Sequence, residues 1–341
     1  MKLKIRSFTS VLQSAVLSLG LCFAASAQAQ DPTYIVRLGS PTMNDTMHHW
    51  MELFKKGVEA RTEGKMRIDL FPAGQLGAVP RQVEAVQFGS QEMFTIASAF
   101  LVGLDKRYMV PSAPLLFDSI QHASRVVHDP EFSEEFLKIG DDKGLRGISM
   151  FCSDHSTYTF TKPINSYKDM AGRKIRIFAS DMERETINRL GATGVGMSLG
   201  EVLPALQQGV VDGARTAISV FVPFKFYDSA KYLLKTEESM VCPIQIVNRQ
   251  WFESLPKNIQ NVIMEEAASA AKATSVFAVG FAEDNYESWV KNGGEIVELS
   301  PEQRTELTAQ LKDVGDVVTS KEPGMAEMYR LIKEVAERTR Q

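Results

Sequence analysis

An arginine in the middle of a short alternating segment is the first residue of this sequence to suggest chemistry. Residues 174–178 read Lys-Ile-Arg-Ile-Phe. The alternation of polar and apolar side chains predicts a strand, with Ile175 and Ile177 on one face and Arg176 on the other, beside Phe178. Burying a guanidinium group costs free energy unless an anion pairs with it. Arg176 therefore either forms a structural salt bridge or binds an anionic ligand.

A second arginine follows a predicted buried strand and turn. Arg215 comes directly after residues 210–214, which read Val-Val-Asp-Gly-Ala. In open α/β sheets the ligand crevice lies at the carboxyl ends of the strands, so a cleft that holds both Arg176 and Arg215 would favour an anion. The alternative is that Arg215 pairs with a neighbouring carboxylate of the protein. Both interpretations remain open at this point.

Catalytic and metal sites have weaker support. Residues 152–156 read Cys-Ser-Asp-His-Ser, but catalytic triads are assembled in space, and adjacent residues of a strand point to opposite faces. His48 and His49 are neighbours on a predicted helix and do not share a face, and the sequence has no HExxH motif. The glycine-rich residues 191–196 follow a predicted helix, whereas a dinucleotide-binding turn follows a strand. We therefore predict no catalytic residue, no metal and no cofactor.

Alternating strands and helices would position these residues. The alternation, with short connections, predicts an α/β fold whose parallel sheets are covered on both faces. No flexible linker is evident, so a chain with two lobes would cross between them more than once. The main segments behind this prediction are strands at 34–39, 66–71, 93–97, 147–152 and 294–299, and helices at 48–61, 81–88, 182–190, 200–208, 255–276 and 279–291.

The N-terminal segment predicts export. Three basic residues lie within the first six, an apolar run covers about 11–25, and Ala-Gln-Ala follows at 27–29. This combination is typical of a secretory signal peptide, and the apolar run is too short for a membrane-spanning helix. We expect residues 1–29 to be removed near Ala29 and the mature protein to lie in the periplasm. A lipid anchor on Cys22 is the alternative, but the residue before it is a bulky leucine.

The composition of the mature chain limits the function classes. Removing residues 1–29 leaves 312 of the 341 residues, which suits two domains of ordinary size. It takes away three positive charges and no negative one, so the formal net charge changes from −4 to −7. An acidic chain is a poor candidate for binding nucleic acid. Cys152 and Cys242 are the remaining cysteines, and they either form a disulfide or serve as small core residues.

Several short motifs, taken together, carry a family resemblance. They are Phe-Pro-Ala-Gly-Gln-Leu-Gly at 71–77, Lys-Pro-Ile at 162–164, Asp-Met-Ala-Gly-Arg-Lys-Ile-Arg at 169–176, Ala-Leu-Gln-Gln-Gly-Val-Val-Asp-Gly at 205–213 and Lys-Phe-Tyr-Asp at 225–228. Their order and spacing resemble the DctP-like solute-binding proteins of tripartite ATP-independent periplasmic (TRAP) transporters. The resemblance runs from about Tyr34 to about Ala336, which is nearly the whole mature chain.

The resemblance implies an architecture and partners. It implies a two-lobed α/β periplasmic binding protein of the type II kind, with a long helix that spans both lobes. Lobe I would comprise 30–153 with 242–281, and lobe II 154–241 with 282–335. The ligand would be a small organic acid and the partner a set of integral-membrane permease subunits, with the binding protein a monomer. Competing interpretations are presentation of the ligand to a sensor kinase and an exported enzyme that uses Asp154 and His155.

The resemblance also implies the ligand-binding residues. The family's strand arginine matches Arg176 and typically forms a bidentate pair with a ligand carboxylate. Ser156 stands where many members carry a second arginine. Thr216 takes the position of a ligand-binding asparagine, and Arg215 that of a glutamate. The remaining residues expected to bind ligand are Ser98, Phe100, Phe178, Leu199 and His155, with a contribution from the loop at 44–49.

These differences from the family pattern bear on the ligand. Apolar walls around one fixed cation favour a monocarboxylate with an aromatic or apolar body. If Arg215 points into the cleft, a dicarboxylate, a keto acid or a uronate becomes the better match. The sequence therefore favours the aromatic or apolar acid and leaves the polar acids as the alternative.

Overall fold

The structure is a computed structural model that describes residues 33–340. The predicted signal peptide at 1–29 and the lipid-anchor alternative at Cys22 lie outside the described residues. None of the helices in the described part of the chain is both long and apolar enough to cross a membrane.

Strands and helices alternate along most of the described chain. The strands are β1 (Tyr34–Gly39), β2 (Met66–Phe71), β3 (Met93–Ala97), β4 (Leu145–Met150), β5 (Ser156–Phe160), β6 (Lys174–Ile177), β7 (Thr193–Gly196), β8 (Gly213–Ala217), β9 (Tyr232–Lys235), β10 (Pro243–Asn248) and β11 (Glu295–Glu298). The helices are α1 (Thr46–Arg61), α2 (Val79–Gln87), α3 (Ile120–Val127), α4 (Pro130–Leu137), α5 (Asp181–Arg189), α6 (Leu199–Gln207), α7 (Ile218–Phe221), α8 (Arg249–Ser254), α9 (Lys257–Lys291), α10 (Pro301–Leu311), α11 (Val314–Thr319) and α12 (Pro323–Thr339). Short 3-10 turns include Ser98–Gly103 and Lys106–Ser112.

The strands form two sheets, one in each lobe, which confirms the predicted two-lobed α/β fold. The first sheet has the order β2-β1-β3-β10-β4, and the second has the order β11-β9-β5-β8-β6-β7. The sheets are mixed rather than purely parallel, because β10 pairs antiparallel to β3 and β4, and β5 pairs antiparallel to β8 and β9. Both exceptions are strands that enter a sheet directly from the other lobe, so they run against their neighbours.

Four segments of the described chain cross between the lobes. The chain passes from β4 to β5, returns from β9 to β10, crosses again along α9, and returns to the first lobe between α11, which packs on α5, and α12, which packs on α3 and α4. Helix α9 packs against α1, α3 and β4 of the first lobe and against α7 and β11 of the second. The sequence pattern predicted two helices here, but α9 is one helix of 35 residues, which confirms the long helix spanning both lobes that the resemblance implies. Phe277 and Ala278 at the predicted break are compatible with a helix, so nothing interrupts it.

The C-terminal helix lies on the first lobe. His122 Nε2 hydrogen-bonds the carbonyl oxygen of Ala336 at 2.9 Å, and Arg125 Nε donates to that of Thr339 at 2.9 Å. Helix α12 thus packs on α3 and α4, whereas the sequence-based lobe II covered 282–335. A correction of that boundary follows from the packing. The apolar stripe of an amphipathic helix predicts that one face is buried, but it does not specify which lobe buries it.

The two cysteines lie side by side where the crossing strands meet. Cys152 and Cys242 form a disulfide, and both residues are buried. Backbone hydrogen bonds hold the segments together on either side, from Phe151 N to the oxygen of Pro243 at 3.1 Å and from Ser153 N to that of Val241 at 2.8 Å. The disulfide interpretation therefore holds over the alternative of two core thiols.

Removing this disulfide is expected to destabilise the protein without changing ligand recognition. The bond closes a loop with a sequence separation of 90 residues, and removing a native disulfide typically costs about 2–5 kcal/mol. In urea titrations, Cys152→Ser with Cys242→Ser should lower the free energy of unfolding by that amount. Thiol titration of denatured, unreduced protein lacking residues 1–29 is the direct check. Two free thiols per chain would refute the bond.

Candidate functional site

Arg176 lies on β6, which is next to the edge strand β7 of the second sheet, and its side chain is fully buried. Its strand β6 pairs with β7 on one side and with β8 on the other. Ile175 and Ile177 point into the core with no exposed surface, while Arg176 is 1% exposed. The Nε atom of Arg176 donates to the carbonyl oxygen of Met197 at 3.0 Å, and Nη1 donates to that of Arg215 at 3.2 Å. Two backbone oxygens therefore fix the orientation of the guanidinium.

The charge of Arg176 is not neutralised by an ion pair within residues 33–340. Among the described residues, both hydrogen bonds of its side chain go to backbone carbonyl oxygens, and its Nη2 atom has no acceptor. Burial lowers the pKa of Arg176 to about 10, although the charge of Glu183 partly opposes this shift. The guanidinium therefore stays protonated at neutral pH, and an anion that reached it would recover much of the desolvation cost.

Two phenylalanines flank the guanidinium and bring the lobes together. The guanidinium carbon of Arg176 lies 4.8 Å from the ring centroid of Phe178 and 5.9 Å from that of Phe100. The two rings are themselves in contact, with centroids 4.9 Å apart. Phe100 belongs to a turn of the first lobe and Phe178 follows β6 of the second. The lobes therefore touch across the cleft at this point, and the ring faces stabilise the cation.

A small cavity opens beside Arg176 at the boundary between the lobes. Its free volume is about 20 Å³. Arg176 is the only charged side chain in its lining, and the hydroxyls of Thr42 and Thr216 are the only others that can hydrogen-bond. The full lining comprises Pro41, Thr42, Met47, Val79, Ala97, Phe100, Arg176, Phe178, Leu199, Thr216, Val220 and Val241. The cavity is thus an apolar enclosure with one fixed cation.

The structure places five of the residues expected to bind ligand around this cavity. They are Arg176, Phe178, Phe100, Leu199 and Thr216. Strand alternation explains part of the grouping, because Arg176 lies opposite Ala214 on the neighbouring strand, and Thr216 is two residues further along the same face. The loop at 44–49 contributes Met47.

Arg215 lies on the opposite face of the second sheet. Strand β8 runs through Ala217, so Arg215 and Thr216 are consecutive strand residues and point in opposite directions. Arg215 pairs with Glu183 through Nη1 and with Glu238 through Nε at 3.3 Å, and the side chains of all three residues are at most 1% exposed. Burial alone would lower the pKa of Arg215, but the Glu183 charge and neighbouring groups raise it above its ordinary value.

The network around Arg215 also includes Tyr158, whose hydroxyl group donates a hydrogen bond to Glu238 at 2.7 Å. One further contact connects the network to Phe178, which lines the cavity. Glu183 accepts a hydrogen bond from the backbone nitrogen of Phe178 at 2.9 Å. The network therefore positions the chain at Phe178 without placing a second cation in the cavity, which matches the ion-pair alternative considered for Arg215.

Three further expected residues lie outside the cavity lining. Ser156 pairs with Ala217 at the start of β5, on the face that carries Arg215. Ser98 is buried beside Ala97, and its backbone nitrogen donates to the carbonyl oxygen of Cys242 at 3.0 Å. His155 forms an isolated bridge with Met240, and burial lowers its pKa.

The cluster at 152–156 does not assemble into a nucleophile and base. The sulfur of Cys152 is bonded to Cys242. Both carboxylate oxygens of Asp154 accept hydrogen bonds from Ser219, one from its backbone nitrogen and one from its hydroxyl, each at 3.2 Å. Burial raises the pKa of Asp154 to about 7. These contacts give Asp154 the role of holding the start of α7, next to the cavity residue Val220.

Metal ligands are not grouped within the part of the chain that the structure describes. No cluster of three or more His, Cys, Asp or Glu side chains there is arranged to hold an ion. His48 accepts a hydrogen bond through Nδ1 from Asn44 N at 3.1 Å. His49 stacks on Phe277 of α9, with ring centroids 3.9 Å apart.

Several cavity residues were not predicted from the sequence. They come from separate loops and element ends, and they share only a small or apolar side chain. No local periodicity distinguishes such residues from ordinary core positions. The unpredicted residues are Pro41, Thr42, Val79, Ala97, Val220 and Val241.

Two lobes joined by four crossing segments, with a buried cation in a cavity between them, define a binding protein that encloses a small ligand. Residues 39–322 match the family described as bacterial extracellular solute-binding protein, family 7 (DctP). The chain therefore belongs to this family, the solute-binding proteins of TRAP transporters.

Individual relatives agree with this assignment. A solute-binding protein of Verminephrobacter eiseniae is 29% identical over 65% of this chain and 66% of its own length. The uncharacterised protein YiiZ of Salmonella typhimurium is 27% identical over 70% of this chain and 72% of its own. A TRAP periplasmic solute-binding protein of Desulfovibrio salexigens, solved with bound orotic acid, superimposes with a TM-score of 0.85 at 26% identity, covering 90% of this chain and all of the other.

Proposed function

We propose that this protein captures a small organic carboxylate in the periplasm and delivers it to the membrane permease of a TRAP transporter. Arg176 binds the carboxylate, and the cleft between the lobes encloses the rest of the ligand. The ligand favours the closed arrangement, because only that arrangement gives it contacts from both lobes at once. The observation that carries the proposal is the buried charge of Arg176, for which the described chain supplies no carboxylate.

The ligand has a single carboxylate and an aromatic or otherwise apolar body. Arg176 is the only cation among the cavity residues, so a second carboxylate would be buried without a positive partner. Thr42 and Thr216 offer few partners for the many hydroxyls of a sugar acid, and each buried hydroxyl needs one. The rings of Phe100 and Phe178 and the aliphatic lining favour an apolar surface instead. The Desulfovibrio salexigens relative was solved with bound orotic acid, a monocarboxylic acid.

A dicarboxylate, a keto acid or a uronate is the alternative ligand class. The hydroxyls of Thr42 and Thr216 are the observation that favours it, because they could bind a carbonyl or hydroxyl next to the carboxylate. A phenylpyruvate-like acid satisfies both arguments, since it combines a keto group with an aromatic ring. Presentation of the same ligand to a sensor kinase would use the same site.

A thermal-shift panel tests the ligand class. Benzoate, cinnamate and phenylpyruvate are compared with succinate, malate and glucuronate, with cinnamamide as the uncharged control. A ligand at about 100 times its Kd stabilises the folded protein by about 2.7 kcal/mol, which raises Tm by several degrees. We expect shifts from the first three acids and none from cinnamamide. Shifts from the polar acids alone would refute the apolar ligand and leave the carboxylate site standing.

Turnover is checked in the same samples. NMR spectra of each stabilising acid, recorded before and after a day with the protein, should be identical for a binding protein. New signals that require the protein would support the exported enzyme instead.

Two further measurements test export and oligomeric state. Intact-mass analysis of periplasmic material should find a chain that begins at or near Gln30, and size-exclusion chromatography should find a monomer.

A further inference from the structure

A groove adjoins the Arg176 cavity on the outer side of the cleft. The two spaces share Pro41, Val79 and Leu199 in their linings, so they are adjacent and these side chains lie between them. The groove has a free volume of about 550 Å³. Both lobes contribute to it, through the loop after β2 and the start of α2 on one side and through the start of α6 on the other. Its lining comprises Pro41, Ala73, Gly74, Gly77, Ala78, Val79, Pro80, Ser198, Leu199, Gly200, Glu201 and Phe224.

The relative size of the two spaces constrains where a ligand can lie. The cavity beside Arg176 has about 20 Å³ of free volume, enough for roughly one water-sized group. A carboxylate therefore nearly fills it while the lobes are in contact. The body of the ligand cannot pass between Phe100 and Phe178, because their rings already touch. The nearest larger space is the groove on the other side of Val79 and Leu199, which a ligand would reach by displacing these two side chains.

The groove also has a definite chemical character. Most of its lining is aliphatic or backbone, with Phe224 as an aromatic contribution. Glu201 is its only charged side chain, and its carboxylate accepts a hydrogen bond from Ser198 N at 2.8 Å at the start of α6. The same negative charge is felt at Arg176, whose pKa it raises slightly against the effect of burial. A second ligand carboxylate in the groove would be repelled by Glu201 and would have no cation to pair with. An uncharged apolar group would only displace water.

We infer that this outer groove is a second subsite, which takes the uncharged apolar end of an elongated carboxylate held by Arg176. The inference deepens the proposed function and rests on it. The protein then selects its ligand by length as well as by charge, with Val79 and Leu199 lying between the two subsites. Gly200 lines the groove, and no atom lies within 4 Å of the place where its Cβ would be, so a larger side chain can be introduced at the groove without a clash.

A series of acids of increasing length tests the second subsite in the unmodified protein. Phenylacetate, 3-phenylpropanoate, 4-phenylbutanoate and 5-phenylpentanoate differ only in the number of methylenes between carboxylate and ring. Isothermal titration calorimetry should show affinity rising about threefold to fourfold for each methylene that becomes buried. If phenylacetate binds and the longer acids bind no better, the second subsite is refuted while the proposed function stands. If none of the four acids binds, the second subsite and the apolar ligand class are both refuted, while the carboxylate site stands if the polar acids of the thermal-shift panel bind.

A blocking variant tests the location of the subsite. Gly200→Trp should reduce the affinity for 5-phenylpentanoate at least tenfold and leave that for phenylacetate within about twofold. Gly200→Ala is the matched control, because its methyl group adds little volume, and all four acids should bind it within twofold of the unmodified protein. Equal losses for short and long acids in a folded Gly200→Trp protein would refute the groove as the site of the ligand's end. The length series decides the question if this variant does not fold.

Discussion

Replacing Arg176 by alanine is expected to weaken binding of a carboxylate ligand by about thirty-fold to several-thousand-fold. Truncating one partner of a buried charged pair costs about 2–5 kcal/mol, because the other charge stays buried without a partner. At 1.4 kcal/mol for each factor of ten in Kd, that cost gives the stated range. Arg176→Lys should lose much of the same affinity, since an ammonium group cannot make the paired hydrogen bonds of a guanidinium.

Calorimetry with the best acid from the thermal-shift panel measures this loss. Lys174→Ala is the matched control, because Lys174 lies on the same strand, is exposed, and loses the same charge. Its affinity should stay within about twofold of that of the unmodified protein. An Arg176→Ala protein that binds the acid within threefold of the unmodified protein would show that another group holds the carboxylate.

Replacing Arg176 is expected to leave the stability of the ligand-free protein unchanged or to increase it. Arg176 is a buried cation without an ion pair among the described residues, so it contributes desolvation cost to the unliganded fold. We expect Arg176→Met to have a Tm equal to or above that of the unmodified protein when no ligand is present. A residue with only a structural role would lower Tm on removal, so this measurement separates the two roles.

Replacing Arg215 by methionine is expected to produce the opposite pattern. The change leaves Glu183 and Glu238 buried, and removes the cation between them. Breaking a buried ion pair by deleting one partner costs about 3–5 kcal/mol, so urea titrations should show a loss of that size. Adding Glu183→Gln and Glu238→Gln to the variant removes the two charges left behind and should recover part of the stability.

The control for this change is an arginine in an exposed pair. Arg330 pairs with Glu334 at 2.7 Å, and both side chains are more than half exposed. Arg330→Met should change the free energy of unfolding by at most about 0.5 kcal/mol. Folded Arg215→Met protein should bind the acid within a few-fold of the unmodified protein. Loss of binding with unchanged stability would place Arg215 in the ligand site.

Strand periodicity was enough to find Arg176 and to predict which side chains share its face. The alternation of residues 174–178 is local, and β6 spans almost the same residues in the structure. Phe178 could be predicted for the same reason, because it follows Arg176 by two positions. Phe100 and Leu199 required the family resemblance, since they lie on other elements and no local pattern links them to the strand.

Arg215 shows why the remainder of the site could not be predicted. The sequence pattern ended the strand at residue 214, whereas β8 covers 213–217. A shift of a few residues decides which face a side chain takes, because strand side chains alternate. The carboxylates that pair with Arg215 lie 32 and 23 residues away along the chain. Only the folded sheet brings those groups together.

The longest helix was predicted by the resemblance rather than by the local pattern. The pattern predicted helices at 255–276 and 279–291, whereas the resemblance implied one long helix that spans both lobes. Helix α9 is a single helix of 35 residues, and its buried positions recur every three or four residues from Ile259 to Trp289. Phe277 and Ala278 are compatible with a helix, so the predicted break had no physical cause.

The two faces of the second sheet give this protein a way to change ligand during evolution. Arg215 and its carboxylates, which stabilise the fold, lie on the face away from the cleft, while Arg176 and Thr216 lie on the face toward it. Mutations on the cleft side can therefore be sampled without disturbing the buried network. Drift at positions such as Leu199 and Gly200 would explore new acids at little cost in stability, and selection for a nutrient could then act on variants that already fold.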